Sequence, residues 1–410
     1  MTTYQQYASA GWASSLDSFE GVPEMDVFEP RITPSRHSVR AALHEALNWF
    51  GVMLPGMSLA LGLAWAGWVI SEFAGRTFHY NAGASPISPV TLAVALGLIV
   101  RNTVGVPATY EPGLRLCMRG ILRIGIVIMG LTLSIVTVGS DVLVALPVMI
   151  CCITAAMVSV SFIARAMGIS RRLGTLIAVG TSICGVSAIM ATAPVIDADE
   201  NETSYAAACI TIFGLLAMIT YPFLAHDLFT TPKQAGVFFG TAIHDMSQAT
   251  AAGLAYAQQF KAEPAFHTAV SVKLVRNLFM SILIPLAGVL YHRGSDNKRR
   301  VRQKLHQIVP LFVVGFLLMA CIRTAGDSTS GGGRAFGMIP VEQWNRVGAA
   351  AKFLVPWLLA MAMGAVGLGT GLAKLKNLGW KPFSVGFAAA LMVGGVSTVM
   401  IKVVAPFLAH

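Results

Sequence analysis

The sequence predicts an all-α membrane protein of about eleven transmembrane helices. Three observations predict it. Only 12% of the 410 residues are charged and 55% are hydrophobic, whereas soluble chains are about a quarter charged. The apolar residues gather in blocks long enough to cross a bilayer as helices. The basic residues gather between those blocks, as they do in loops facing anionic lipid.

The blocks give spans over 51–73, 87–106, 114–138, 142–164, 174–196, 204–225, 234–256, 266–291, 308–323, 353–373 and 383–407. Residues 1–50 precede them as a cytoplasmic tail. Within it 1–35 are polar, and 37–50 (HSVRAALHEALNWF) read as an amphipathic helix on the membrane surface. No apolar core follows a basic start, so no cleaved leader is expected. Residues 51–407 form the transporter domain.

Loop charge sets the orientation. Loops after even-numbered spans carry most of the basic residues, among them Arg165, Arg171, Arg172, Lys233, the cluster at 293–304, Lys374, Lys376 and Lys381. Loops after odd-numbered spans carry only Arg76, Lys261, Arg323, Arg334 and Arg346, and the fifth span is followed by Asp197, Asp199, Glu200 and Glu202. The N-terminus is therefore expected in the cytoplasm and the C-terminus outside the cell inner membrane. The net charge of +10 is read as an affinity for membrane lipid, not nucleic acid. The six cysteines form no CxxC pair and are read as buried small apolar residues.

An internal repeat is expected, with spans 2–6 (about 86–225) matched to spans 7–11 (about 234–407). Arg123 then aligns with Arg276, and GTSICGVSAI (180–189) with AMAMGAVGLGTG (360–371). An offset of five spans inverts the second copy, and inverted repeats are a transporter architecture. Two spans look unable to be plain helices. Span 5 carries Gly180, Thr181, Ser182, Gly185 and Ser187, and span 10 carries Gly364, Gly367, Gly369, Thr370 and Gly371. One reading is a pair of broken helices whose half-helix N-termini meet at an anion. The other is close packing of unbroken helices through small residues.

Ionisable residues inside spans point to function. Lys273 and Arg276 lie deep in span 8, with Asp245 as the expected counter-ion of Arg276, while Arg123 lies near the inner interface. His244, in the polar run His244–Gln248, is a candidate proton carrier or a satisfied buried histidine. Lys352 is read as the outer cap of span 10, and Lys402 as snorkelling outward. Neither HExxH, GxSxG nor a phosphate-binding glycine loop occurs. Cys184 and Ser187 have no partner fixed by spacing, so no enzyme and no cofactor are expected.

The stretches GTSICGVSAIMATAPVI (180–196), FFGTAIHDMSQATAAG (238–253), KLVRN (273–277), ALGLIVRN (95–102), ILRIGIVIMGL (121–131) and AMAMGAVGLGTGLAKLKNLGWKP (360–382) resemble the YeiH family, described as sulfate exporters. The resemblance is colinear over about 51–407. It implies two inverted five-helix repeats with crossed broken helices, as in bile-acid symporters and sodium/proton antiporters. Val186 stands where that plan expects a glycine, and the N-terminal tail is additional.

From the residues and the resemblance together, the expected function is secondary transport of a small anion, sulfate or an organosulfonate, by alternating access with H+ or Na+ coupling. The expected binding residues are Thr181, Ser182, Cys184, Gly185, Ser187, His244, Lys273, Arg276, Gly367, Gly369 and Thr370, with His244, Asp245 and Arg123 as coupling or charge-pair groups. The alternative is a cation/proton antiporter of the same fold, for which Asp245 is the only deep carboxylate. A homodimer is expected, with span 1 as a candidate contact.

Overall fold

The computed structural model describes residues 39–78, 87–291, 311–330, 333–371 and 380–407. The tail 1–35, the basic cluster 293–304, Lys374 and Lys376 lie outside the described residues. Within them the chain is helical except for turns and one small antiparallel ladder, β1 (Arg334–Ala335) with β2 (Ile339–Pro340).

Helix α1 (Val39–Phe78) joins the expected surface helix and the first span into one 40-residue rod. After α2 (Pro89–Thr103), the third span is segmented into α3 (Glu111–Leu116), a π turn (Cys117–Ile121) and α4 (Leu122–Met129), closed by a 3-10 turn at Gly130–Thr132. Ser134 then caps α5 (Ile135–Ala166). The long helix α8 (Glu200–Leu228) starts on a capping box, in which Asp199 accepts from the Glu202 amide and Glu202 accepts from the Asp199 amide. The later helices are α11 (Glu263–Leu278), α12 (Met280–Tyr291), α13 (Leu311–Thr329), α14 (Val341–Gly369) and α15 (Trp380–Val404). Among the described residues seven helical stretches are long and apolar enough to cross a membrane: Leu47–Thr77, Ile135–Ala166, Asn201–Leu228, Glu263–Val289, Leu311–Thr329, Val341–Gly369 and Trp380–Val404.

The fifth and seventh spans correct the expectation, because each is a helical hairpin. The first comprises α6 (Arg171–Ser182) and α7 (Val186–Thr192), with its tip at Ile183–Gly185. Ser170, the cap of α6, donates to Glu202 at the start of α8. The return arm also ends there, at Asp199. A Cβ at Gly180 would meet Ile189 at 2.8 Å, so the arms lie side by side. The second hairpin comprises α9 (Pro232–Ala242) and α10 (Met246–Phe260), with its tip at Ile243–Asp245. Phe239 and Tyr256 pack ring on ring at 5.5 Å although seventeen positions apart, which a continuing helix would separate by about 25 Å. His226, in the last turn of α8, stacks on Phe260 at 3.9 Å. One hairpin therefore stands on the first turn of α8 and the other on its last. A 29-residue helix is about 43 Å long, so the hairpins enter from opposite ends and their tips meet between them.

The tenth span also differs from the broken-helix reading. Helix α14 runs without interruption from Val341 to Gly369. Its glycines serve close packing: a Cβ at Gly367 would meet the Val94 carbonyl at 2.4 Å, and one at Gly97 the Gly364 carbonyl at 2.5 Å. Two helix groups result. One holds both hairpins with α5, α8, α11, α12 and α15, and the other holds α1–α4, α13 and α14.

Candidate functional site

The site is built where the tips meet, and α11 carries the two side chains that join them. Residues at i and i+3 share a helix face, so Lys273 and Arg276 point the same way. Both are 0% exposed. Arg276 donates from Nε to the Ser182 carbonyl at 2.9 Å, and from Nη2 to that of Thr181 at 2.6 Å. Its Nη1 donates to Thr241 at 2.6 Å and more weakly to Gly240 and Ile243. Lys273 Nζ donates to the carbonyls of Ile183 at 3.1 Å, Ile243 at 2.6 Å and His244 at 2.5 Å.

These carbonyls belong to the C-terminal ends of α6 and α9. A helix end leaves its last carbonyls without intrahelical partners and carries about half a negative charge. Two such ends would repel at a shared point. The guanidinium and the ammonium supply the missing donors and the opposite charge, and thus lock the tips together. Gly185 completes the contact, since its φ of 76° suits glycine and a Cβ there would reach the Asp245 Cα at 3.4 Å.

The locking is symmetric in sequence. Gly180–Ser187 reads GTSICGVS and Gly240–Ser247 reads GTAIHDMS, sixty positions later. The shared pattern is Gly-Thr-x-Ile-x-x-x-Ser. Arg276 binds the carbonyl of each threonine and Lys273 that of each isoleucine. In both copies the serine alone is not buried. Ser187 and Ser247 occupy the first turns of α7 and α10, where helix N-termini favour negative charge.

The copies differ at four positions, and two of the exchanges change the chemistry. Asp245 replaces Gly185 and caps α10 by accepting from the Ser247 amide at 2.8 Å and from the Ser247 hydroxyl. His244 replaces Cys184. It is 1% exposed, and among the described residues neither ring nitrogen has a partner in hydrogen-bond geometry, although the Ala242 carbonyl lies close by. The Thr181 hydroxyl and the Asn277 amide oxygen are likewise buried without partners among the described residues. Cys184 sits 3.8 Å from the Met280 sulfur.

Comparison with known proteins identifies the family. The family described as Conserved hypothetical protein 698 matches residues 55–386. A UPF0324 membrane protein of Nitratidesulfovibrio vulgaris is 33% identical over 303 residues, 73% of this chain and 79% of that one. Relatives of the same name in Corynebacterium glutamicum (31%) and Bartonella henselae (30%) each pair 78% of this chain with 85% of theirs. The chain belongs to the YeiH-like family of UPF0324 membrane proteins.

For this YeiH-like protein the structure gathers Thr181, Ser182, Cys184, Gly185, His244, Asp245, Lys273 and Arg276 at the hairpin tips, with Ser187 one turn on. It removes others. Gly367 belongs to the α2–α14 packing. Gly369 faces Met118, and the Thr370 carbonyl accepts from Asn102. Arg123 stacks over Phe312 at 5.8 Å. Arg276 and Asp245 form no ion pair, since carbonyls engage the first and a helix cap the second. Lys352 pairs with Glu263 across to α11. Ser247 was not among the expected binding residues, although the sixty-residue repeat marks it as the partner of Ser187.

Proposed function

We propose that this protein is a secondary active transporter of a small anion that binds between Ser187 and Ser247 at the meeting point of two re-entrant hairpins. The observation that carries the proposal is the tip-to-tip junction. Irregular backbone at membrane depth is tolerated where protein buries it or where it lines a cavity, and inverted repeats meeting near the midplane are a transporter design. Hairpins entering from opposite sides give each side of the membrane one element that can open the site.

The sign of the solute follows from the local charge. Lys273 and Arg276 bring two basic groups against one buried carboxylate, Asp245. Each helix end contributes only about half a charge, so the C-termini of α6 and α9 are offset by the N-termini of α7 and α10. The remaining field favours an anion, and sulfate or an organosulfonate is the finer reading. The cations act through this field and through the tip geometry, while the Ser187 hydroxyl and first-turn amides provide direct contacts, and the Ser247 hydroxyl, which donates to Asp245 in this structure, turns from that carboxylate to the solute. Coupling to H+ or Na+ is part of the proposal.

Orientation follows from the same loops. Two hairpins reverse the chain twice, so the terminus assignment is unchanged in parity. The base of the first hairpin, with Arg171 and Arg172, is assigned to the cytoplasm of the inner membrane, and Lys233 and Lys261 at the base of the second to the outside. The acidic run Asp197–Glu202 moves to the cytoplasmic end, because α6 and its return arm share that end. A homodimer through α1 remains part of the proposal.

The test is counterflow in proteoliposomes with labelled sulfate, short sulfonates and carboxylates. Saturable exchange of one of these anions is expected. Loss of one hydrogen bond to a charged solute costs ~1.5–3 kcal/mol, so Ser247→Ala and Ser187→Ala should each raise the apparent KM about tenfold or more. Sodium-driven proton flux that requires Asp245, with no anion exchange, would establish the cation antiporter instead.

A further inference from the structure

A second site lies away from the tips, on the seam between the two helix groups. A cavity of about 170 Å³ is lined by Leu254 and Gln258 of α10, Phe266 and His267 of α11, Met129 and Thr132 beside α4, and Val355 and Pro356 of α14. That volume equals five to six waters at ~30 Å³ each. Glu263 and Lys352 also line it and pair across the seam at 3.2 Å. Both are about half exposed, at 57% and 53%, so water screens the pair and little holds it shut. Two buried polar atoms of the lining, Gln258 Oε1 and His267 Nδ1, have no partner among the described residues. A neighbouring cavity of about 320 Å³ shares the Thr132 and Lys352 wall. Twelve residues of α10 separate Gln258 from Met246 at the tip, about 18 Å of helix.

We propose that this cavity binds a compact zwitterion, with its ammonium group on Glu263 and Gln258 Oε1 and its oxyanion on Lys352. The charge pattern selects this class. A simple anion on Lys352 displaces Glu263 and leaves that carboxylate facing the like charge of the ligand. A simple cation on Glu263 does the reverse. A molecule bearing both charges inserts into the pair and gives each residue a new partner. The apolar walls from Leu254, Phe266, Val355 and Pro356 accept its short carbon chain. The site depends on no transport reading of the tips.

Titration calorimetry on the full-length protein in nanodiscs tests it, with β-alanine and 2-aminoethanesulfonate as probes and propionate, ethanesulfonate and ethylammonium as their single-charge halves. The zwitterions should bind at least ten times more tightly than any half. Glu263→Gln and Lys352→Gln should each weaken zwitterion binding at least tenfold, and the exchanged pair Glu263→Lys with Lys352→Glu should restore it. Absence of binding, equal binding of propionate and β-alanine, or a loss that follows Asp245→Asn and not Glu263→Gln would overturn the proposal.

Discussion

Arg276 shows how a charged residue inside a membrane helix can be held by backbone carbonyls alone. Its burial was legible from sequence, because a charge one turn or more inside an apolar span must face protein or water. Its partners were not legible, because they are backbone carbonyls, and a sequence displays only side chains. The expected Arg276–Asp245 pair failed for that reason. Removing a partner from a buried charged network costs ~3–5 kcal/mol, and Arg276→Ala exposes the ends of two helices at once. Size-exclusion profiles and melting curves should show a severely destabilised or misfolded protein, with Arg276→Lys partly rescued. A well-folded Arg276→Ala protein lacking only transport would instead return the guanidinium to direct solute contact. Asp245 separates cap from charge. Asparagine caps as well as aspartate, whereas alanine costs ~1 kcal/mol. Asp245→Asn should therefore melt near the parent temperature while changing solute selectivity, and Asp245→Ala should melt lower.

At the scale of the element, the hairpins were the hardest feature to read. A hydropathy window measures length and polarity, not direction. Residues 174–196 and 234–256 are each long enough to span, and a three-residue tip is too short to register as a loop. The glycine and hydroxyl content of span 5 correctly marked a break, but the same reasoning misread α14, whose Gly364 and Gly367 let α2 approach. The signal that separates the two is the Gly-Thr-x-Ile-x-x-x-Ser motif repeated sixty positions apart, which pairs span 5 with span 7 instead of span 10. Gly185 tests the tip. At φ 76° and ψ −127° the backbone is strained for any residue with a Cβ, and holding it there costs about 1–3 kcal/mol. Gly185→Ala should lower the melting temperature clearly. Gly139→Ala in α5, where a Cβ meets nothing within 4 Å, should be neutral or stabilise by about 0.5–1 kcal/mol.

For the whole molecule, membrane class and family were legible from composition, apolar blocks and dispersed motifs, whereas the path of the chain was not. Two direction errors cancelled, since each span that is really a hairpin shifts every later loop to the other side, and two shifts restore the assignment. In the proposed topology the termini thus keep their expected sides, while the loops from Asp197 through Lys233 change sides. The hairpins stand on opposite ends of α8, and side-specific labelling of single cysteines in a cysteine-depleted protein probes that placement. Gly168→Cys and Asp197→Cys should both react with an impermeant maleimide from one face of the membrane, and Thr230→Cys and Lys261→Cys both from the other. If Gly168→Cys and Asp197→Cys react from opposite faces, residues 171–195 cross the membrane, the first hairpin does not exist, and the tip-to-tip site falls with it.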